Sequence, residues 1–240
     1  IDSTVAVVGS NSNFGSGVLL SNTEALELGL VDKFGQGYYI GTVDHVVQEP
    51  QDYAVVFYNP NTSELDEDAI SRAEKIGANP DKDLALLKIY QKPNHASGSR
   101  LVGNSETVSI GDDVQAVGHP NSMWWTYTRG YISQFRNGYR WFYEDENSPM
   151  EADVVQTQTP ITTGNSGGPL FTQEGKILGL NAFGDPEFQS INFAVSAEEL
   201  RSFALSLSKL PKTKKKLSVS SIILPNPSTW KIIDEFDMNE

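Results

Sequence analysis

The sequence predicts an all-β fold, and three observations carry that reading. Its apolar runs are short and rich in Val, Ile, Tyr and Phe; clusters of Gly, Asn, Asp, Ser or Pro separate them; and helical periodicity is confined to one stretch near the C-terminus. The runs fall at 5–8, 18–20, 53–58, 84–90, 114–117, 125–132, 154–156, 177–182 and 191–195. Strands at this spacing, with no helical repeats between them, read as a sandwich or a barrel. No internal repeat recurs at a fixed period.

The helical exception begins at Ser196-Ala197-Glu198-Glu199, a capping box in which the Ser hydroxyl and a Glu carboxylate satisfy the first free N–H groups of a helix. Leu200, Phe203, Ala204 and Leu207 then fall on one apolar stripe, so a helix over about 197–209 is expected to dock on the β region. The segment 66–76 is ambiguous, Ile70, Ala73 and Ile76 fitting helical spacing loosely while Ile70 and Ile76 also fit a strand face, and the acidic run 64–68 reads as a solvated loop, with a cation site as the alternative. Residues 211–240 shift composition: a Lys run at 214–216, a strand-prone apolar run at 217–224 and an acidic end. The apolar run is expected to lie extended along a barrel edge, because left in water it would invite aggregation.

Composition excludes several classes of function. Eighteen Lys and Arg against 31 Asp and Glu give a net charge of −13, the wrong sign for a nucleic-acid grip or an anionic-membrane anchor. No apolar run approaches the length of a membrane span. Zero cysteines remove disulfides, thiolate nucleophiles and Cys-held metals, and three histidines make a His-rich metal centre improbable; neither a metal nor a cofactor is expected.

The chemistry sits in Thr163-Gly164-Asn165-Ser166-Gly167-Gly168-Pro169-Leu170. A serine hydroxyl is a weak nucleophile until a base takes its proton, and the transition state of acyl transfer develops an oxyanion that needs fixed donors. Glycines beside the serine serve both ends, exposing the hydroxyl in a tight turn and baring backbone N–H groups. A glycine-rich hairpin with an incidental serine is the plainer alternative. The partners would be one imidazole and one carboxylate. His45 lies among apolar residues in Val43-Asp44-His45-Val46-Val47, and Asp83 stands directly before the β-run Leu84-Ala85-Leu86-Leu87-Lys88-Ile89. Each is bland by itself; the order His, Asp, Ser in a β-rich chain is not.

With those residues in view, the chain resembles the trypsin-fold serine proteases, and within them the HtrA/Deg branch. The likeness rests on Gly15-Ser16-Gly17-Val18-Leu19-Leu20, Asp44-His45-Val46-Val47, the run 83–89, the run 164–170, Ile110-Gly111-Asp112 with Val117-Gly118-His119-Pro120, and Ile191-Asn192-Phe193-Ala194-Val195. It extends from about residue 3 to residue 205. The resemblance implies two six-stranded antiparallel barrels with the active site in the cleft between them. On it, 1–100 form the N-terminal barrel with His45 and Asp83, 101–196 the C-terminal barrel with Ser166, 197–210 a C-terminal helix and 211–240 a tail or linker. It implies Ser166 as nucleophile, His45 as general base and then acid, Asp83 as the group orienting the imidazole, and the N–H groups of Gly164 and Ser166 as the oxyanion hole.

The departures carry expectations too. The residue before Ser166 is Asn165, so a charged N-terminus at Ile1 would find no acidic partner there. Asp44 and His119 each stand where the family usually has Asn, and the 30 residues from 211 to 240 are too few for the family's protein-binding PDZ domain. Six residues before the nucleophile, where the trypsin branch carries a carboxylate for basic side chains, stands Pro160. By resemblance Ile161, Ile191, Asn192 and Phe193 border the substrate pocket, implying a small or medium aliphatic residue before the cut. His119 reads as surface or core packing and His95 as solvent-facing. The aromatic stretch from Trp124 to Tyr143 reads as hairpin packing, with a lining of the substrate cleft from the second barrel as its functional alternative.

The expected activity is therefore that of a serine endopeptidase acting on polypeptides through an acyl-enzyme on Ser166. The alternative is a catalytically silent trypsin-fold module that binds protein. An esterase on an α/β nucleophile elbow fits less well, since this serine is followed by Gly-Gly-Pro. Among partners, nucleic acid and membrane insertion are not expected, whereas 211–240 could bind an unidentified protein. An extracytoplasmic location, periplasmic or secreted, is favoured over a cytoplasmic one, although cysteine usage does not fix the compartment.

Overall fold

The computed structural model describes residues 1–10, 14–48, 52–59, 69–103, 106–143, 149–185 and 190–211. Two six-stranded barrels account for nearly all of its regular structure. The first is built from β1 Thr4–Gly9, β2 Phe14–Leu19, β3 Tyr38–Thr42, β4 Tyr53–Phe57, β5 Ile70–Asn79 and β6 Leu84–Ile89. The second comprises β7 Asp113–Gly118, β8 Thr126–Trp141, β9 Met150–Thr157, β10 Pro169–Thr172, β11 Ile177–Gly184 and β12 Asn192–Ser196. Each closes on itself in the same topology, β1-β2-β3-β6-β5-β4 and β7-β8-β9-β12-β11-β10, with antiparallel pairing throughout. Closure leaves no free sheet edge, which is how chains with many short strands avoid pairing with one another.

Burial explains why these runs fold as they do. β6, Leu84-Ala85-Leu86-Leu87-Lys88-Ile89, is buried at every position, including Lys88, whose Nζ reaches the Phe34 carbonyl at 2.6 Å. That carbonyl ends the short helix α2 Leu30–Phe34, so the ammonium meets the negative end of a helix rather than a bare apolar wall. Desolvation still pushes the Lys88 pKa down from its usual value.

The ambiguous segment 66–76 resolves, where described, into strand: Ile70–Asn79 pairs with β4 on one side and β6 on the other. Two strands lack a clear run in the sequence. β3 contains Gly41, over which Leu200 and Leu180 pack so closely that a Cβ would lie 3.2 Å from Leu200 Cδ2. β10 opens on Pro169, tolerated as the first residue of a strand. The short helix α1 Asn22–Glu27 is announced by Ser21, whose hydroxyl accepts from Glu24 N at 3.1 Å.

The C-terminal helix α3 Ala197–Lys209 begins where its capping box predicts, with the Ser half of the box made, Ser196 Oγ accepting from Glu199 N at 3.3 Å. Its stripe Leu200, Phe203, Ala204 and Leu207 is buried. Glu199 joins the barrels: one carboxylate oxygen takes Lys82 Nζ of the first at 2.6 Å and the Asp153 N–H of the second at 3.1 Å. The expected extended segment 217–224 lies outside the described residues.

Candidate active site

His45 and Asp83 come from the first barrel, each from a short helical turn against a strand. The turn Asp44–Val46 follows β3, and Asp83 ends the turn Pro80–Lys82 in a left-handed conformation, φ 52° and ψ 49°, immediately before β6. Asp tolerates that conformation better than most residues. The carboxylate is 1% exposed and holds His45 at two points: Oδ1 accepts the His45 backbone N–H at 2.9 Å and Oδ2 accepts from Nδ1 at 2.8 Å. A carboxylate accepts only, so Nδ1 carries the proton and the Nε2 lone pair is left to act as a base. Asp44 is buried beside the pair. Burial first and the Asp83 charge second raise its carboxyl pKa, while Lys75 and His45 pull it down.

Ser166 lies half-buried on the loop between β9 and β10. That loop is fixed from both barrels: Ser16 N donates to Ser166 O at 2.8 Å, and Gly167 N to Asn181 O at 2.7 Å. Gly167, with φ +82°, lies so close to β2 and β3 that a Cβ would fall 2.2 Å from Thr42 Oγ1 and 2.3 Å from Ser16 O. Gly15 is wedged between the two halves of the site, its missing Cβ 2.6 Å from Val46 Cγ2 and 3.0 Å from Ser166 O. These close approaches bring the serine loop onto the wall that carries His45.

The backbone around the serine supplies donors. Asn121 N binds Thr163 O at 2.9 Å. Because a trans peptide points its C=O and N–H in opposite directions, that bond turns the Gly164 N–H away from Asn121. Among the described residues nothing accepts from the Gly164 or Ser166 N–H. The buried Asn165 side chain fills the space over Gly118, where a Cβ would lie 2.2 Å from its Oδ1.

The sequence alone places His119 at the surface or in packing; the structure gives it a post behind the serine loop. It is 0% exposed, with Nδ1 2.8 Å from Ser16 Oγ, and Ser16 Oγ donates to Gly164 O at 2.7 Å. Ser16 has one proton and gives it to the carbonyl, so His119 Nδ1–H donates to Ser16. The ring also meets Phe14, Trp124 and Trp125, at centroid distances of 5.9, 5.5 and 5.2 Å. Desolvation there lowers its pKa from 6.5 to about 3. An unfolded chain would protonate this imidazole below about pH 6.5 while the folded one refuses until about 3, so stability is full above that window and falls through it with acid. The expected slope is up to about 1.4 kcal/mol per pH unit. Denaturant titrations between neutral and mildly acid pH would read it, and His119→Phe should abolish that part of the slope; an unchanged slope in the variant contradicts the assignment.

The remaining predicted positions divide. Ile161 and Ile191 are partly exposed, whereas Asn192 and Phe193 are buried. Asn192 Nδ2 donates to Thr159 O at 2.9 Å, and the Phe193 ring stacks on Tyr139 and Phe183 at 4.9 and 4.7 Å. His95 is exposed as expected, its Nε2 2.5 Å from Tyr58 O, and Ile1 is 46% exposed. Among the described residues no cluster of His, Asp and Glu could hold a metal, and no helix is long and apolar enough to cross a membrane. One member of the site went unforeseen. Tyr143, read as hairpin packing, places its hydroxyl 2.7 Å from Asp83 Oδ2 and 2.9 Å from His45 Nδ1.

Known proteins resemble this chain in sequence and in fold. The chain is similar to a probable periplasmic serine endoprotease, DegP-like, of Bartonella henselae, 32% identical over 154 residues that make up 62% of this chain and 27% of that protein. It is likewise similar to the serine protease Do-like HtrB of Bacillus subtilis, 30% identical over 166 residues, 68% of this chain and 34% of that one. The chain thus spans roughly a quarter to a third of the length of these relatives. The serine endoprotease from Yersinia pestis superposes with a TM-score of 0.63 at 26% identity, covering 87% of this chain and 63% of that one. The active form of the Rv3671c protease from M. tuberculosis, at 20% identity, shares the fold with a TM-score of 0.65 over 88% of this chain and 82% of that one. The trypsin-like peptidase domain model matches residues 15–180, well over half of the sequence, and with DegP-like serine endoproteases as homologues the chain belongs to the trypsin-like peptidase family.

Proposed function

We propose that the chain is a serine endopeptidase cleaving polypeptides through an acyl-enzyme on Ser166. The observation that carries this reading is the double attachment of His45 to Asp83, which fixes one tautomer of a single imidazole beside the serine loop. Ser166 Oγ attacks the scissile carbonyl as His45 Nε2 takes its proton. The oxyanion that forms draws on the Gly164 and Ser166 N–H groups, which no other described residue uses. The imidazolium then gives its proton to the departing amine, and the C–N bond breaks. Water, deprotonated by the same nitrogen, releases the acyl group and restores the serine.

Of Ile161, Ile191, Asn192 and Phe193, the pocket is assigned to the partly exposed Ile161 and Ile191, since Asn192 and Phe193 are buried in contacts of their own, with Pro160 at the position where a carboxylate would attract Arg or Lys. A buried cation without a partner costs several kcal/mol, whereas each buried methylene of the substrate gains about 0.8 kcal/mol. Val, Ala, Ile or Leu before the cut is therefore the expected preference. The relatives whose names say "periplasmic" support an extracytoplasmic site of action. Cleavage of a proteome-derived peptide library tests both claims. Cuts after aliphatic residues are expected; a strong preference for Arg or Lys overturns the pocket, and a folded protein that cuts nothing overturns the endopeptidase.

A further inference from the structure

We propose that Tyr143 is a positioning residue of the catalytic apparatus, its hydroxyl anchoring the Asp83 carboxylate and its ring bracing the His45 imidazole. The inference rests on the triad assignment above and extends it to a residue from the other barrel. Tyr143 follows β8 by two residues, whereas His45 and Asp83 belong to the first barrel. Its hydroxyl lies 2.7 Å from Asp83 Oδ2, 2.9 Å from His45 Nδ1 and 3.4 Å from the Ala182 carbonyl of β11. The ring stands edge-on to the imidazole, with centroids 4.9 Å apart and planes at 61°.

The proton count allows one arrangement. The phenol has a single proton and the carboxylate has none to give, so the O–H donates to Asp83 Oδ2, the oxygen that also takes Nδ1–H. The phenol oxygen is then a second, three-centre acceptor for the same Nδ1–H. Burial first, and the Asp83 charge next, hold the Tyr143 pKa far above its usual value, so the group remains a donor at any pH the enzyme meets. Asp83 Oδ2 is thereby gripped from both barrels. Tyr143 as a whole is 37% exposed while its hydroxyl end reaches the 1% exposed carboxylate, and its neighbour Phe142 is 49% exposed. A residue serving only to pack the hairpin has no need to bring its polar end to a buried charge.

Two consequences follow for catalysis. Without the hydroxyl, the Asp83 charge acts on His45 undiluted, the imidazolium is favoured, and the acidic limb of the kcat/KM profile moves to higher pH by about half a unit in Tyr143→Phe. The imidazole also loses its brace, and kcat falls about ten-fold with KM unchanged. Fluorotyrosine at position 143, a stronger donor on the same ring, should move the limb the opposite way with kcat retained. Asp44, buried beside the pair, and Lys75, which faces Asp44, are untouched by either change, so a shift reports on the hydroxyl.

The experiment compares both variants with the wild type in pH profile, kcat, KM and melting temperature. It adds the downfield Nδ1–H proton signal of His45, recorded in a Ser166→Ala background where turnover plays no part. Opposite shifts in the two variants support the proposal; if Tyr143→Phe does not fold, the fluorotyrosine protein and its proton signal decide alone. Profiles and proton signals indistinguishable from wild type in the folded variants overturn it. Failure of the triad reading would show separately, as hydrolysis that survives Ser166→Ala.

Discussion

Ser166→Ala should lower peptide hydrolysis on the order of 10^6-fold, to the level of contaminating activity. The loop keeps its shape without the hydroxyl, because its anchors are backbone groups: Ser16 N to Ser166 O, Gly167 N to Asn181 O and Gly168 N to Asn165 O. Ser166 is half-buried and its hydroxyl contributes little to the core, so melting temperature and spectra should match the wild type. A fluorophosphonate, which phosphonylates only an activated serine, should label the wild type on Ser166 and leave the variant unlabelled. Equal hydrolysis by purified Ser166→Ala protein would remove the nucleophile assignment, whereas a folded wild type that neither hydrolyses peptides nor takes the label would favour the silent binding module.

What could be read from the sequence follows from how local each determinant is. The glycines around Ser166 are legible because they answer a local demand: Gly164 and Gly167 have φ of +97° and +82°, with backbone where a Cβ would stand. The α3 capping box and its apolar stripe are equally local, and the helix begins where they place it. Gly41 and Pro169 hide β3 and β10 for the opposite reason, since glycine and proline signal turns unless the helix or strand that packs beside them is known. Tyr143 and His119 lay further out of reach. The Tyr143 hydroxyl matters only because the end of β8 comes back across the first barrel, 60 residues away in sequence from Asp83. His119 supports the serine loop through Ser16, a contact that spans 103 residues and continues over another 148 to Gly164. One aromatic in an aromatic-rich stretch, or one histidine before a proline, has no neighbouring pattern that tells such a role from packing.

Asp83→Asn should cost about 10^4-fold in kcat while KM changes little. Asp83 accepts three hydrogen bonds, from the His45 N–H at Oδ1 and from His45 Nδ1 and the Tyr143 hydroxyl at Oδ2. A carboxamide has one oxygen and one NH2 for the same places. With its oxygen toward the imidazole, the NH2 meets the His45 backbone N–H, donor against donor. Flipped, it satisfies that N–H but presents the NH2 to Nδ1, which must then accept; the ring proton moves to Nε2, and the base faces Ser166 with nothing to accept the hydroxyl proton. The first orientation strands a buried donor at about 1–3 kcal/mol, so the second is the one expected to prevail. The Asp83 carboxylate, 1% exposed, is out of a substrate's reach, so the loss is expected on kcat, and labelling of Ser166 by a fluorophosphonate should slow in the same proportion. Turnover within ten-fold of wild type in a folded Asp83→Asn protein would mean that His45 does not depend on this carboxylate for its tautomer.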